Sequence, residues 1–285
     1  MRNTLLALGL VLSLGACESN MQSSSGEDYL ARHAVSTLAN TPGQSKDMKP
    51  TIEQRLREAA AVEPTLTFPA RIGIARLERG QLSDIPNAEG AAWAEFVEQQ
   101  GKDYGEFVPL SLLVAGMFSG LADETAESWT SESARLMNRI RLAAARQHLD
   151  AVLIYEVRSK QDKNDNLLAL GKLTVIGGFL LPSKTSEAEG FATGLLIDVM
   201  QAYPYANMLA FADKETELSS AWGWGSDSYG KELVEKIEAT AVRNLTQETG
   251  KTLAKLRPQL AAAQAKIAAN KQAKAAADSK IPVRR

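Results

Sequence analysis

The feature that most constrains the fold is an amphipathic stretch that leads almost directly into a short apolar run. Residues 131–148 place Met137, Ile140 and Ala144 along one helical face. Residues 151–155 (Ala-Val-Leu-Ile-Tyr) are apolar without alternation, which is typical of a strand covered on both faces. A helix that runs into a buried strand predicts a crossover onto a parallel sheet.

Two further strands and a helix are predicted before this unit. Residues 70–77 alternate between apolar and polar positions as a strand does, and a helix is expected near 88–100. Residues 107–114 form a second candidate strand, which Pro109 confines to a sheet edge or a strand start.

Three extended segments follow, at residues 167–181, 190–203 and 209–222. The connections between them are too short for parallel crossovers, so these strands are expected to be antiparallel neighbours. A helix near 228–256 closes the domain. The predicted fold class is therefore α/β, mixed in the α+β sense: one mixed sheet with a βαβαβ start, then antiparallel strands, with helices packed on the sheet and a closing C-terminal helix.

The residues on either side of the predicted 66–257 domain have different compositions. Residues 17–65 are rich in small polar residues and predict a tether, which contains one short helix that starts with a capping box at Thr51 and Gln54. Residues 258–285 are mostly Ala, Lys and Gln and are expected to form a basic tail.

The charge distribution separates this tail from the rest. Residues 255–285 contain eight Lys and Arg against one acid, which gives +7. Because the whole chain carries −2, residues 1–254 sum to −9. A basic tail and an acidic body are electrostatically complementary.

The N-terminus has the organisation of an export signal. A basic start at Arg2 is followed by about ten apolar residues, too few to span a bilayer. The segment ends in Leu14-Gly15-Ala16-Cys17. These residues resemble the lipobox of bacterial lipoproteins, in which residues 1–16 would be a signal peptide and Cys17 would receive a diacylglycerol. By the same resemblance Glu18, which is not Asp, favours the periplasmic face of the outer membrane.

The sequence contains few residues that could form disulfides, metal sites or nucleotide-binding sites. Cys17 is the sole cysteine, and there are two histidines, so neither a disulfide framework nor a cysteine- or histidine-based metal site is expected. His148 is interpreted as a surface or capping residue. The stretch from Gly225 to Lys231 has the spacing of a phosphate-binding loop, but Glu232 stands where Ser or Thr would bind magnesium. No cofactor, nucleotide or nucleic acid is expected.

Two sets of side chains are left as candidate sites. Glu156 and Asp198 lie on predicted strands and would suit a glycosidase if they were paired. Four aromatic residues are candidates for contact with a glycan or another partner. Trp222 and Trp224 would place two indoles on one side of an extended segment, and Tyr203 and Tyr205 have the same spacing at a turn predicted over residues 203–207.

Two family resemblances follow from these features. The lipobox together with the element order over about residues 66–256 resembles a group of envelope proteins: the amino-terminal domain of TolB, the curli-secretion lipoprotein CsgG, and the lipoprotein activators of penicillin-binding proteins. The lipobox with Arg71-Ile-Gly-Ile-Ala75, Asp150-Ala-Val-Leu-Ile-Tyr155, Leu196-Ile-Asp-Val199 and Tyr203-Pro-Tyr205 is similar to the rhombotarget lipoproteins. That family has no assigned catalytic residues, so the resemblance carries none over to this chain.

We therefore expect a non-enzymatic lipoprotein that is anchored in the outer membrane through Cys17 and binds an envelope protein or assists its assembly. One alternative is an oligomeric secretion pore like that of the curli system, in which residues 167–181 and 190–203 would be transmembrane hairpins. A third is a carbohydrate-active enzyme or a peptidoglycan-binding module. The identity of the partner and the oligomeric state stay open at this level.

Overall fold

The computed structural model describes residues 18–33, 51–120, 132–159, 190–212 and 227–278. Within these ranges one sheet of seven strands is covered by helices on both faces. The strands are β1 (Glu18–Met21), β2 (Ala70–Glu78), β3 (Gln81–Ser83), β4 (Gly105–Pro109), β5 (Ala151–Ser159), β6 (Gly190–Asp198) and β7 (Pro204–Phe211). The helices are α1 (Gly26–Arg32), α2 (Ile52–Ala60), α3 (Asn87–Gln99), α4 (Leu112–Gly116), α5 (Glu132–Arg146) and α6 (Asp227–Asp278).

The sheet topology confirms the predicted fold class. β4 and β5 both pair with β2 in parallel, one on each side, and α3 and α5 lie in the two crossovers. β6 then pairs antiparallel with β5, and β7 antiparallel with β6. The strand order is β1-β7-β6-β5-β2-β3, with β4 sharing the outer edge of β2. As Pro109 predicts, β4 is an edge strand.

β5 is the centre of the sheet, and its side chains divide between two cores. Leu153 and Tyr155 point to the first face, which α3 and α6 cover. Val152 and Ile154 point to the second face, which α4 and α5 cover. All four are at most 1% exposed, which is the burial that the absence of alternation predicts.

The connection from α5 into β5 is held by local backbone features. His148 adopts a left-handed conformation with φ of 56° after the last helical residues, which ends the helix. Asp150 then accepts a hydrogen bond at Oδ2 from the backbone N–H of Arg71 at 2.7 Å. The interpretation of His148 as a capping residue is confirmed.

The N-terminal residues differ from the predicted tether. β1 extends the sheet by pairing with β7, and Ser25 caps α1 by accepting a hydrogen bond from the N–H of Asp28. The capping box of α2 is present as predicted. The sequence does not predict β1, because its four residues (Glu-Ser-Asn-Met) include one apolar side chain and show no strand pattern. The segment is a strand because it pairs with the edge of β7.

The C-terminal helix also differs from prediction, because it continues through Pro258 to Asp278. Proline removes one backbone hydrogen bond from a helix. Here Leu256 and Leu260, which flank it, are both at most 1% exposed, and their burial on the first face offsets the cost of the proline. The first part of the predicted basic tail is thus a helical extension of the domain.

The antiparallel part of the sheet is confirmed, but one turn is displaced. The turn lies at 199–203 and β7 begins at Pro204, whereas the sequence predicts a turn at 203–207. β6 occupies the interior of the sheet between β5 and β7, so the secretion-pore alternative would require this strand to leave both partners. The extended segment predicted at 167–181 lies outside the described residues.

Candidate functional site

The two tyrosines predicted to contact a partner are buried. Tyr203 is 3% exposed and Tyr205 0% exposed, and their ring centroids are 5.1 Å apart. Tyr203 donates a hydrogen bond to the carbonyl of Ser24 at 2.9 Å. Burial raises the pKa of both phenols. With at most 3% of either residue exposed, the structure gives no support to glycan contact at these two tyrosines.

The reason is that Tyr205 belongs to a structural cluster around Asp198. Asp198 Oδ2 accepts hydrogen bonds from the hydroxyls of Tyr205 and Thr65, both at 2.8 Å, while Oδ1 accepts from the N–H groups of Met200 and Gln201. The Tyr205 oxygen also accepts a hydrogen bond from Leu66 N–H at 2.8 Å. Both carboxylate oxygens are therefore engaged in shaping the β6–β7 turn.

The carboxylate pair considered for a glycosidase is not brought together. In the register of β5 and β6, Asp198 lies opposite Ala151, which is on the first face. Glu156 lies opposite Thr193 and is on the second face. Ala151 and Glu156 are five positions apart along β5, so the two carboxylates are about 16 Å apart along the strand direction. Glycosidase carboxylates lie about 5–9.5 Å apart, so these two residues do not form such a site.

Glu156 is held instead by a neighbour on its own strand. Arg158 donates to Glu156 Oε1 at 3.1 Å, and Oε2 has no hydrogen-bond partner in the described part of the chain. Burial raises the pKa of the Glu156 carboxyl, and Arg158 opposes that shift.

The remaining predicted site residues cannot be compared with the structure. Cys17, Trp222 and Trp224 lie outside the described residues. The described chain begins at Glu18, one residue after the predicted lipidation site, and β1 begins there. In the ranges that the structure describes, no group of three His, Cys, Asp or Glu side chains could hold a metal ion. No described helix is long and apolar enough to cross a membrane.

A buried ion pair that sequence reasoning missed lies between β2 and α3. Arg76 Nε donates to both oxygens of Glu89, at 3.0 and 2.9 Å, and Tyr155 donates to Glu89 Oε2 at 2.7 Å. Arg76 also donates to Glu78 and Ser83. Burial opposes the positive charge, but the hydrogen bonds and charge of Glu89 outweigh it, so the pKa of Arg76 is raised.

The sequence contains a signal for this network. Glu89 precedes Trp93 by four residues and Phe96 by seven, so it lies on the apolar stripe of α3 rather than on its polar side. A carboxylate on such a stripe needs a buried cation, and Arg76 is the charged residue within the otherwise apolar middle of β2. All donors and acceptors named here are used within the protein, so the network has a structural role and leaves none of these groups for a ligand.

The candidate binding surface is an open groove beside this network, which we call the edge groove. Its volume is about 1020 Å³. The groove lies where the outer edge of β2 is shared by two short strands, with β4 along residues 70–74 and β3 along residues 76–78. Its apolar lining comes from β2, α3, β4 and the residues that follow: Ile74, Trp93, Val97, Phe107, Leu110 and Leu113.

Two large apolar side chains four residues apart are exposed, and the first of them lines the edge groove. Leu113 on α4 is 86% exposed and lines the groove, and Met117 follows α4 and is 68% exposed. Polar groups at the rim include Asp84, Glu98 and Lys102, which carry both signs of charge. An apolar floor with a mixed polar rim is the composition of a protein-binding surface.

No protein-family model matches the sequence, and no curated protein matches it. Among solved structures, a point variant of the PelC dodecamer from Paraburkholderia phytofirmans is 12% identical to this chain, with a TM-score of 0.25, and the alignment covers 64% of this chain and 92% of that one. A second crystal form of the PelC dodecamer from the same organism matches at 12% identity and a TM-score of 0.25, covering 64% of this chain and 91% of that one. A likeness this weak supports no inference about function.

Proposed function

We propose that this protein is a lipoprotein of the outer membrane, anchored through Cys17 on the periplasmic side, which acts without catalysis by binding a protein of the cell envelope. The observation that carries the proposal is the position of β1. Among the described residues this strand is paired with β7 from Glu18 to Met21, and Glu18 directly follows Cys17 in the sequence. A lipid on Cys17 would thus be joined to the sheet itself, and the domain would be presented from a fixed point.

The edge groove is the surface proposed for the partner. It lies on the outer side of β2, at the opposite edge of the sheet from β1, so an anchor at β1 leaves it accessible. Leu113 and Met117 are exposed apolar side chains, and their burial against a partner would be favourable because it removes apolar surface from water. Trp222 and Trp224 stay candidate contacts for a partner or for peptidoglycan.

The anchor is tested by replacing Cys17 with serine. Serine has no thiol to accept the diacylglycerol, so we expect the Cys17→Ser protein to lose both palmitate incorporation and cleavage before residue 17. Metabolic labelling with palmitate in cells that produce either form measures this. Label retained by the Cys17→Ser protein would contradict the lipoprotein proposal.

The partner surface is tested by photo-crosslinking in intact cells. With a photoreactive amino acid at position 113, we expect one discrete adduct with an envelope protein, because Leu113 projects from the side of the groove. The matched control carries the same group at Lys271, an exposed position on α6 away from the groove. The same adducts at both positions, or none at position 113, would contradict binding in the edge groove.

A further inference from the structure

A second apolar surface lies at the other side of the domain, on α1 and α2, and we call it the α1–α2 surface. α2 buries none of its residues, and Ile52 and Leu56 are 63% and 62% exposed. Tyr29 on α1 is 44% exposed. A groove of about 750 Å³ separates the two helices and is closed at one side by the end of the β6–β7 turn.

The turn that closes this groove also carries an exposed apolar side chain outside the groove lining. Met200 is 74% exposed, and its backbone carbonyl accepts a hydrogen bond from Arg141 Nη2 at 2.7 Å. Arg141 Nε also donates to the carbonyl of Val199. The exposed methionine is therefore held in place by α5, rather than carried by a free loop.

The chain from the predicted lipid to α1 is fixed to the sheet along its length. After β1, the N–H of Gln22 donates to Tyr205 O at 2.8 Å, and Tyr203 donates to Ser24 O. Ser25 then donates to Glu63 Oε1 at 2.9 Å. Eight residues separate Cys17 from Gly26 at the start of α1, a reach of at most about 30 Å.

The two helices are packed tightly against each other where this chain arrives. A Cβ added at Gly26 would lie 2.4 Å from the backbone oxygen of Ala60, so the first turn of α1 and the last turn of α2 are in backbone contact. The position of α2 relative to Cys17 is therefore set through its contact with α1.

α6 holds α1 from another side. Lys266 Nζ lies 2.6 Å from Asp28 Oδ2, and Lys274 forms an ion pair with Glu27. These contacts engage the acidic residues of α1 and leave Tyr29 outward. At these two contacts the basic C-terminal residues attract acidic residues of α1, and this attraction helps to hold α1 in its orientation.

We propose that the α1–α2 surface rests on the phospholipid bilayer that holds the acyl chains of Cys17. This inference rests on the proposed lipid anchor. A lipid at Cys17 keeps the surface within about 30 Å of a bilayer at all times, which favours the bilayer over any partner that must diffuse to it. Aliphatic side chains with a tyrosine beside them are suited to the boundary between headgroups and acyl chains.

This seating would also orient the protein. The domain would stand with the β1 edge of the sheet towards the bilayer and the edge groove away from it. Five strand spacings, from β1 across β7, β6, β5 and β2 to β3 or β4, separate the two edges, which is about 24 Å. The proposed partner groove would then face the periplasm rather than the lipid.

The test uses the full-length protein, purified after lipidation and reconstituted into phospholipid vesicles. Cys17 is the only cysteine and its sulfur would carry the lipid, so one introduced cysteine is a unique site for an environment-sensitive fluorophore. The reporter variant is Leu56→Cys and the matched control is Leu113→Cys, since both side chains are largely exposed. We expect a quencher carried on lipid acyl chains to quench the label at position 56 severalfold more than the label at position 113.

Mass spectrometry of the same samples reports the lipid on Cys17. If Cys17 is acylated and both labels are quenched equally by a water-soluble quencher, the seating is overturned while the proposed function stands. If Cys17 carries no lipid, the proposed function fails and the seating with it. If the label at position 56 is protected in cells but open to water in vesicles, a protein covers this surface and the inference is overturned.

Discussion

Replacing Leu153 with aspartate is expected to remove a large share of the stability of the domain and to lower its melting temperature strongly. Leu153 is 1% exposed at the centre of β5, between β2 and β6, and packs into the core of the first face. The substitution removes a buried leucine and introduces a carboxylate with no cation beside it. The combined cost is several kcal/mol, against a typical domain stability of about 5–15 kcal/mol.

The measurement is a thermal melt followed by circular dichroism, with Lys271→Asp as the control. Lys271 is exposed on the C-terminal part of α6, so its replacement is expected to leave the melting temperature nearly unchanged. Equal losses at the two positions would mean that the core has been placed wrongly.

Replacing Glu89 with leucine is expected to destabilise the domain by about 3–5 kcal/mol, because one partner of a buried ion pair is removed and the other stays. Arg76 would keep its charge in a site where it is 7% exposed, and the hydroxyl of Tyr155 would lose its acceptor. Urea unfolding at neutral pH measures the change in the free energy of unfolding.

Two companion variants separate the network from the loss of any single carboxylate. Glu95→Leu, on the exposed side of the same helix, is expected to unfold close to the parent protein. The triple variant Arg76→Met, Glu89→Leu, Tyr155→Phe removes every member of the pair and its donor, and is expected to recover most of the lost stability. A triple variant no more stable than Glu89→Leu would show that the leucine disrupts packing rather than stranding a charge.

The two surfaces described above lie at different edges of the sheet. The edge groove lies beyond β2, and the α1–α2 surface lies beside β1 and the β6–β7 turn. Under the proposed function, one side of the protein would face the membrane and another would face its partner. The sheet between them provides a rigid separation of about 24 Å.

Patterns confined to a few neighbouring residues were sufficient for the centre of the fold. The unalternated run at 151–155 identified the buried strand, and the residues before it identified α5, because burial on both faces and helical amphipathicity leave their periods in the local sequence. Thr51 and Gln54 predicted the start of α2 for the same reason, since both partners of a capping box lie within one turn.

Only the tertiary structure determined the features that depend on contacts between residues distant along the chain. Tyr205 looked available because its own neighbours suggest a turn, yet Asp198 and the backbone of Leu66, 139 residues away, enclose its hydroxyl. β1 is a strand because β7 offers it an edge, and α6 continues past Pro258 because Leu260 has a core to enter. Local propensity is weak where such contacts exist, so the free energy of long-range packing and hydrogen bonding sets the outcome.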